Sequence, residues 1–158
     1  MLSFIIFKVD KSLAMTIELL HKYDLNDAIQ LQIKNLYKQL NDKNEQRPLH
    51  QILQDDNQVI FVVCKEEGQI VGMALLATYK VISGYRGLVE DVVVDADYRG
   101  KGIGRKLMEK LLQEAQHKNI DDILLFSGHH RTKAIALYKS LGFTLRESGV
   151  YNLKVPRP

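Results

Sequence analysis

The chain has 158 residues, of which 46% are hydrophobic and 26% charged, with a formal net charge of +3 at pH 7. That composition is ordinary for a soluble globular protein of one domain with a sizeable core. The charge is too small to argue for nucleic acid. A lone cysteine, Cys64, excludes an internal disulfide framework and agrees with a reducing cytoplasm.

Leu2 to Phe7 is apolar but too short for a signal-peptide core, and no basic segment precedes it. Residues 1–14 therefore read as an extension or as an extra edge strand. No apolar run approaches the ~20 residues that span a bilayer, so no membrane association is expected. Thr16 to Leu20 reads as a first strand. Leu25-Asn26-Asp27 offers an N-cap to an amphipathic helix with Ala28, Ile29, Ile33, Leu36, Tyr37 and Leu40 on its stripe. Pro48 bounds the polar stretch 41–47, and a short helix is expected at Leu49–Leu53. Val59–Lys65 and Gln69–Tyr79, joined by Glu66-Glu67-Gly68, read as a β-hairpin. Ser83 to Gly87 reads as a loop leading to a β-branched run, Leu88 to Asp95. A helix follows on Ile103, Leu107, Leu111 and Ala115. Strand Asp122–Phe126, loop Ser127–Thr132, helix Lys133–Leu141 and strands near Thr144–Glu147 and Val150–Val155 complete the chain. The order is α/β with a mixed sheet.

Arg99-Gly100-Lys101-Gly102-Ile103-Gly104 lies between the run at 88–95 and the helix. A glycine turn feeding a helix N-terminus presents N–H groups to an anion, and the peptide dipoles favour negative charge there. Arg99, Lys101, Arg105, Lys106 and Lys110 surround it, opposed between 99 and 110 only by Glu109. The spacing lacks the G-x-x-x-x-G-K-[ST] of a triphosphate loop and the third glycine of a dinucleotide fingerprint. It satisfies Arg-x-x-Gly-x-Gly through Arg99, Gly102 and Gly104.

That motif resembles the acetyl-CoA pyrophosphate motif of the GNAT superfamily of N-acetyltransferases. Ala134 to Phe143, with Tyr138, Gly142 and Phe143, resembles the superfamily's closing A-x-x-x-Y-x-x-x-G-F segment. The resemblance covers Leu88 to Phe143 and implies an α/β (α+β) fold: a mixed, strongly twisted sheet flanked by helices. The sheet would splay between its fourth and fifth strands, here Leu88–Asp95 and Asp122–Phe126. Backbone groups of Val92, Val93 and Val94 would then pair with the pantetheine arm, as a peptide augments a sheet edge. Arg99, Gly100, Lys101, Gly102, Ile103, Gly104 and Arg105 would cradle the pyrophosphate. Arg131 stands where many members carry Asn, and it would meet CoA phosphates or an anionic substrate.

Acetyl transfer to an amine needs a neutral amine, a stabilised carbonyl oxygen and a proton for the leaving thiolate. Tyr138 is the expected acid, by its match to the superfamily tyrosine. Glu90 is the expected base, with Asp91 the weaker candidate. Two adjacent acids interrupt an apolar strand, and alternation sends them to opposite faces. Burying either unpaired costs several kcal/mol, so each needs a partner, water or the substrate amine. The histidines at 129 and 130 lack a third ligand at metal spacing, so no metal is expected. Cys64, in an apolar run, reads as a structural thiol and not an acyl acceptor.

The expected function is acetyl transfer from acetyl-CoA to a primary amine by direct attack in a ternary complex, with no metal. Residues 89–104 resemble the corresponding part of glucosamine-phosphate N-acetyltransferases; the loop Ser127–Arg131 does not. Amino sugars, polyamines, aminoglycosides, amino acids and protein amines stay open as acceptors, and a homodimer is compatible with the sequence. The alternative is a non-catalytic acyl-CoA-binding regulatory domain. The acceptor pocket is expected from helix Asp27–Leu40, the segment to Gln54 and the stretch 79–87, which carry Tyr37, His50, Tyr79, Tyr85 and Arg86.

Overall fold

The computed structural model of the chain describes residues 15–156, so the expectation of an extension or edge strand at 1–14 lies outside the described residues. The described residues through Phe126 form one compact unit and those from Ser127 a second.

The first unit is built on a five-stranded sheet in the order β1 to β5. Its strands are β1 (Thr16–Leu19), β2 (Val59–Glu66), β3 (Gln69–Val81), β4 (Gly84–Val94) and β5 (Asp122–Leu125). The first three junctions are antiparallel, and β4 runs parallel to β5. The parallel pair is connected through a helix, as such a crossover requires.

Both faces of this sheet are covered, which is why β2 is apolar at nearly every position instead of alternating. On one face Phe61 and Val63 join Ile33 and Leu36 of α1 (Asp27–Leu40) in a single core with Met73, Leu75 and Val93. The intervening Val62 and Cys64, both wholly buried, point the other way. That second face receives α3 (Ile103–His117) through Ile103, Leu107, Met108, Leu111 and Ala115. The close approach of α3 depends on Gly72 in β3. A Cβ there would sit 2.9 Å from Ile103 Cγ2 and 3.1 Å from Leu107 Cδ1.

Asn26 caps α1, its side chain accepting from the Ile29 N–H at 2.9 Å, as expected. The short α2 (Leu49–Ile52) follows Pro48. Three expectations need correction. The stretch Ser83–Gly87 is not a loop: from Gly84 it belongs to β4, with Tyr85 opposite Lys80 and Arg86 opposite Tyr79. Gly84, at φ +144°, opens that strand at the hairpin turn, and a Cβ at Gly87 would sit 2.8 Å from Leu76 Cδ1. The second correction is at the C-terminus. The second unit contains α4 (Thr132–Ser140), but among the described residues no strand follows it. Leu145, Val150, Tyr151 and Leu153 are exposed. Alternating apolar residues suit a strand, but a strand forms only against an edge that accepts its hydrogen bonds. The third correction, the faces of Glu90 and Asp91, belongs to the site.

The parallel ladder between β4 and β5 stops at Val89 opposite Leu125. Beyond that point β4 continues against β3 alone. The sheet is therefore splayed where the sequence resemblance places the splay.

Candidate active site

The splayed half of β4 carries a bulge. Met73 pairs with Val93 and Leu75 with Glu90, so Ala74 of β3 faces two residues, Asp91 and Val92. Asp91 absorbs the extra residue by adopting φ +52°, one of three non-glycine residues on the left-handed side among those described. Such backbone typically costs about 1–3 kcal/mol and collects at functional sites. The bulge also breaks the alternation that would separate the two acids. Glu90 and Asp91 line the same cavity, not opposite faces.

This cavity holds about 330 Å³. Leu49, Ile52, Val59, Phe61, Met73 and Leu75 form an apolar wall, and Tyr37, Glu45, Gln46, Arg47 and Asn57 add polar groups. Burial raises the Asp91 carboxyl above its ordinary pKa. Glu90 is also raised, first by burial and then by the adjacent Asp91 charge. Two carboxyl groups made reluctant to ionise, on a strained bulge facing a cavity, are suited to taking a proton from an amine. A slightly larger depression of about 380 Å³ lies at Lys22, Tyr23, His50 and Asp55. Its Lys22 ammonium and Asp55 carboxylate already pair at 2.6 Å, so it offers no comparable chemistry.

Of the residues expected around the acceptor, Tyr37 lines the cavity, whereas His50 lines the other depression. Tyr79, Tyr85 and Arg86 line neither; they lie toward the hairpin end of the β3–β4 ladder. Arg47 and Gln46, within the expected segment to Gln54 but marked by no sequence pattern, also line the cavity. They are held by a polar loop whose Asn41 side chain accepts from the Lys43 and Asn44 N–H groups. Gln46 Nε2 then donates to the Lys34 carbonyl at 3.0 Å, tying the loop to α1.

At the end of β4 the chain enters a 3-10 turn at Ala96–Tyr98 and then the glycine turn. Gln39 of α1 pins this junction, donating to Asp95 Oδ2 at 2.8 Å and accepting from the Ala96 N–H at 2.9 Å. Nothing in the sequence marked Gln39 for this role. Gly100 and Gly102 have φ +80° and +76°, and nothing lies within 4 Å of a Cβ built on either. Gly102 is the N-cap of α3, with no side-chain cap and no acid in the first turn. The first N–H groups of α3 are therefore left for an external acceptor. Arg105 is exposed and stands 3.5 Å from Glu109, while Lys101 lies over the Tyr98 ring at 4.5 Å. Ile103 is buried in the core, so only its backbone could serve an anion.

The three valines separate. The Asp95 N–H donates to Val71 across to β3, so by strand alternation the peptide groups of Val94 face the splayed side. Arg99 Nε donates to the Val94 carbonyl at 3.1 Å. Val93 is buried and lies in the ladder opposite Met73, which puts its backbone on the β3 side. The expectation of three open valines is thus narrowed to Val92 and Val94, the latter with its carbonyl already engaged.

In the second unit, Tyr138 meets Phe143 edge-on with ring centroids 6.1 Å apart. Gly142, at φ +95°, turns the chain so that the Phe143 N–H donates to the Tyr138 carbonyl. Burial raises the Tyr138 phenol, and the Arg131 charge partly opposes that shift. Arg131 is exposed at the N-cap of α4. Among the described residues no group of three or more His, Cys, Asp or Glu could hold a metal ion. No described helix is long and apolar enough to cross a membrane.

A mixed sheet splayed at β4 and β5, with a glycine turn opening the intervening helix, is an acetyltransferase architecture. The chain belongs to the acetyltransferase (GNAT) family, whose model matches residues 25–143. It is 32% identical over 127 residues to an IAA acetyltransferase of Azospirillum brasilense, covering 77% of this chain and 80% of that one. It is also 32% identical over 85 residues to the L-amino acid N-acyltransferase MnaT of Escherichia coli, covering 53% and 49%. The match thus spans about half the length of that relative, and about a third of a histone acetyltransferase of Glycine max. An aminoglycoside acetyltransferase from an uncultured soil metagenomic sample shares the fold with a TM-score of 0.76 at 22% identity, covering 90% of this chain and 97% of that one.

Proposed function

We propose that the protein is an N-acetyltransferase that moves an acetyl group from acetyl-CoA to a primary amine by direct attack in a ternary complex. The observation that carries this reading is the run from the Glu90–Asp91 bulge, along the open part of β4, into the uncapped turn at Gly102. The turn suits a pyrophosphate: its left-handed glycines leave open space where a side chain would stand. The open backbone at Val92 and Val94 would take the amides of the pantetheine arm, and Arg99, Lys101 and Arg105 would supply positive charge beside the phosphates. Arg131 is assigned a contact with the CoA phosphates.

Glu90 receives a proton from the substrate ammonium, directly or through water. The freed amine forms the new C–N bond as the thioester C–S bond breaks, and the nitrogen's second proton passes to water, as does the proton held by Glu90 before the next turnover. Tyr138 then gives its proton to the departing thiolate and is reprotonated from solvent. The net products are the N-acetyl amine, CoA-SH and one proton. The raised Tyr138 phenol stays protonated at neutral pH and so can donate. Cys64 supports direct attack, because its thiol is wholly buried and held protonated by that burial. One acetyltransferase domain acting in the cytoplasm fits these assignments.

Thiol release across an amine panel tests the reading. Tyr138→Phe should lower kcat by ~10²-fold while sparing CoA affinity. Tight CoA binding with no thiol release on any amine would favour the regulatory alternative.

A further inference from the structure

We propose that the acceptor is a small zwitterion, an apolar α-amino acid, held by Arg47 at its carboxylate and by Glu90 and Asp91 at its ammonium group. This assignment rests on the transferase reading above and narrows it to a substrate class.

Charge within the cavity is the first observation. Arg47 is the sole cation that lines it among the described residues. It has no hydrogen-bond or ion-pair partner among them, whereas Glu45 beside it already has an interaction. A guanidinium presents a fork of donors matched to a carboxylate. It would repel the second ammonium of a polyamine. Glu90 and Asp91, on the strained bulge, supply the opposite charge in the same lining.

Wall chemistry and size give the second. The surface from α2 and β2, with Leu49, Ile52, Val59 and Phe61, rewards an apolar body. At about 330 Å³ the cavity sits at the small end of ligand pockets, which run from about 300 to 1,000 Å³. It suits one apolar amino acid better than a whole aminoglycoside. The position of Arg47 is built into the fold, since the neighbouring Gln46 ties its loop to the Lys34 carbonyl.

The test compares L-leucine, L-methionine and L-phenylalanine with their amides, with the corresponding decarboxylated amines, and with spermidine and glucosamine 6-phosphate. Thiol release gives kcat and KM. Calorimetric titration of each amino acid into the CoA-saturated protein gives binding independent of turnover. The free amino acids should exceed their amides in kcat/KM by about tenfold or more, the scale of one charged hydrogen-bonded contact. Arg47→Ala should raise amino-acid KM by about tenfold while leaving kcat within about threefold, and Arg47→Lys should recover part of the loss. KM for the decarboxylated amines should not move.

Equal or better use of amides, decarboxylated amines, spermidine or glucosamine 6-phosphate overturns the substrate class and leaves the transferase reading standing. Arg47-dependent amino-acid binding without thiol release from any amine has the opposite result: the site assignment holds and acetyl transfer fails. Amino-acid binding or turnover that ignores Arg47 also overturns the proposal.

Discussion

The glycine turn and the acid-lined cavity are adjacent on β4, yet they are made of different material. At the turn the useful groups are backbone N–H donors, and the side chains matter mainly by being absent. At the cavity they are side chains drawn from the loop after α1, from α2 and from β2, β3 and β4. A backbone site needs a short contiguous stretch with particular dihedrals. A side-chain site needs several remote segments brought together, plus one local defect, the bulge at Asp91. In the proposed reading the first kind carries the acetyl donor and the second the acceptor. They should therefore fail independently when damaged.

The largest effect is expected at the cavity. Glu90→Gln removes the proposed proton acceptor and should cut kcat by ~10²-fold or more, with CoA affinity unchanged in titration. Full activity in that variant would move the base to Asp91 or to water. The converse lesion is Gly102→Val, which puts a β-branched residue at φ +76°. Val at this left-handed position displaces the turn and puts a branched side chain into the open space beside it, so CoA affinity should fall about tenfold or more. KM for the amine should hold. Loss of amine binding with intact CoA affinity would reverse the two assignments.

The smallest effect separates catalysis from stability within the cavity itself. Asp91→Asn removes one of the two causes of the raised Glu90 pKa. The acid limb of the kcat/KM profile should therefore move to lower pH. The same change acts on stability. Asp91 has a raised pKa in the folded protein, so the folded state holds more protons between the unfolded and folded values. Stability falls as pH rises through that window. The Asn variant should thus melt higher than the parent near neutral pH and lose that advantage below the ordinary carboxylate range. A calorimetric series over pH decides it, and an advantage that persists in acid would assign the gain to backbone relaxation instead.

Legibility followed the same division. The turn was readable because Gly100 and Gly102 serve a conformation that L side chains rarely adopt, and because the basic residues lie in the same segment. The helices were readable from their stripes, and Asn26 from its capping position. At the cavity only the acid pair was legible. Its placement was misread because alternation assumes an unbroken ladder, and Asp91 breaks it. Tyr85 and Arg86 looked like pocket residues because Gly84 and Gly87 suggested a loop. The C-terminal apolar residues looked like strands because their pattern says nothing about an available edge.

The amino-acid sequence by itself determined what is local: the periodicity of α1 and α3, the apolar run of β2, the glycine turn and the motif ending at Phe143. Tertiary structure alone decided that β4 and β5 part after Val89, that a bulge turns Glu90 and Asp91 into one cavity, and that Arg47 lines that same cavity. The physical reason is range. Dihedral preference and hydrophobic spacing act over a few residues, whereas a cavity is defined by which distant surfaces fail to fill the space between them.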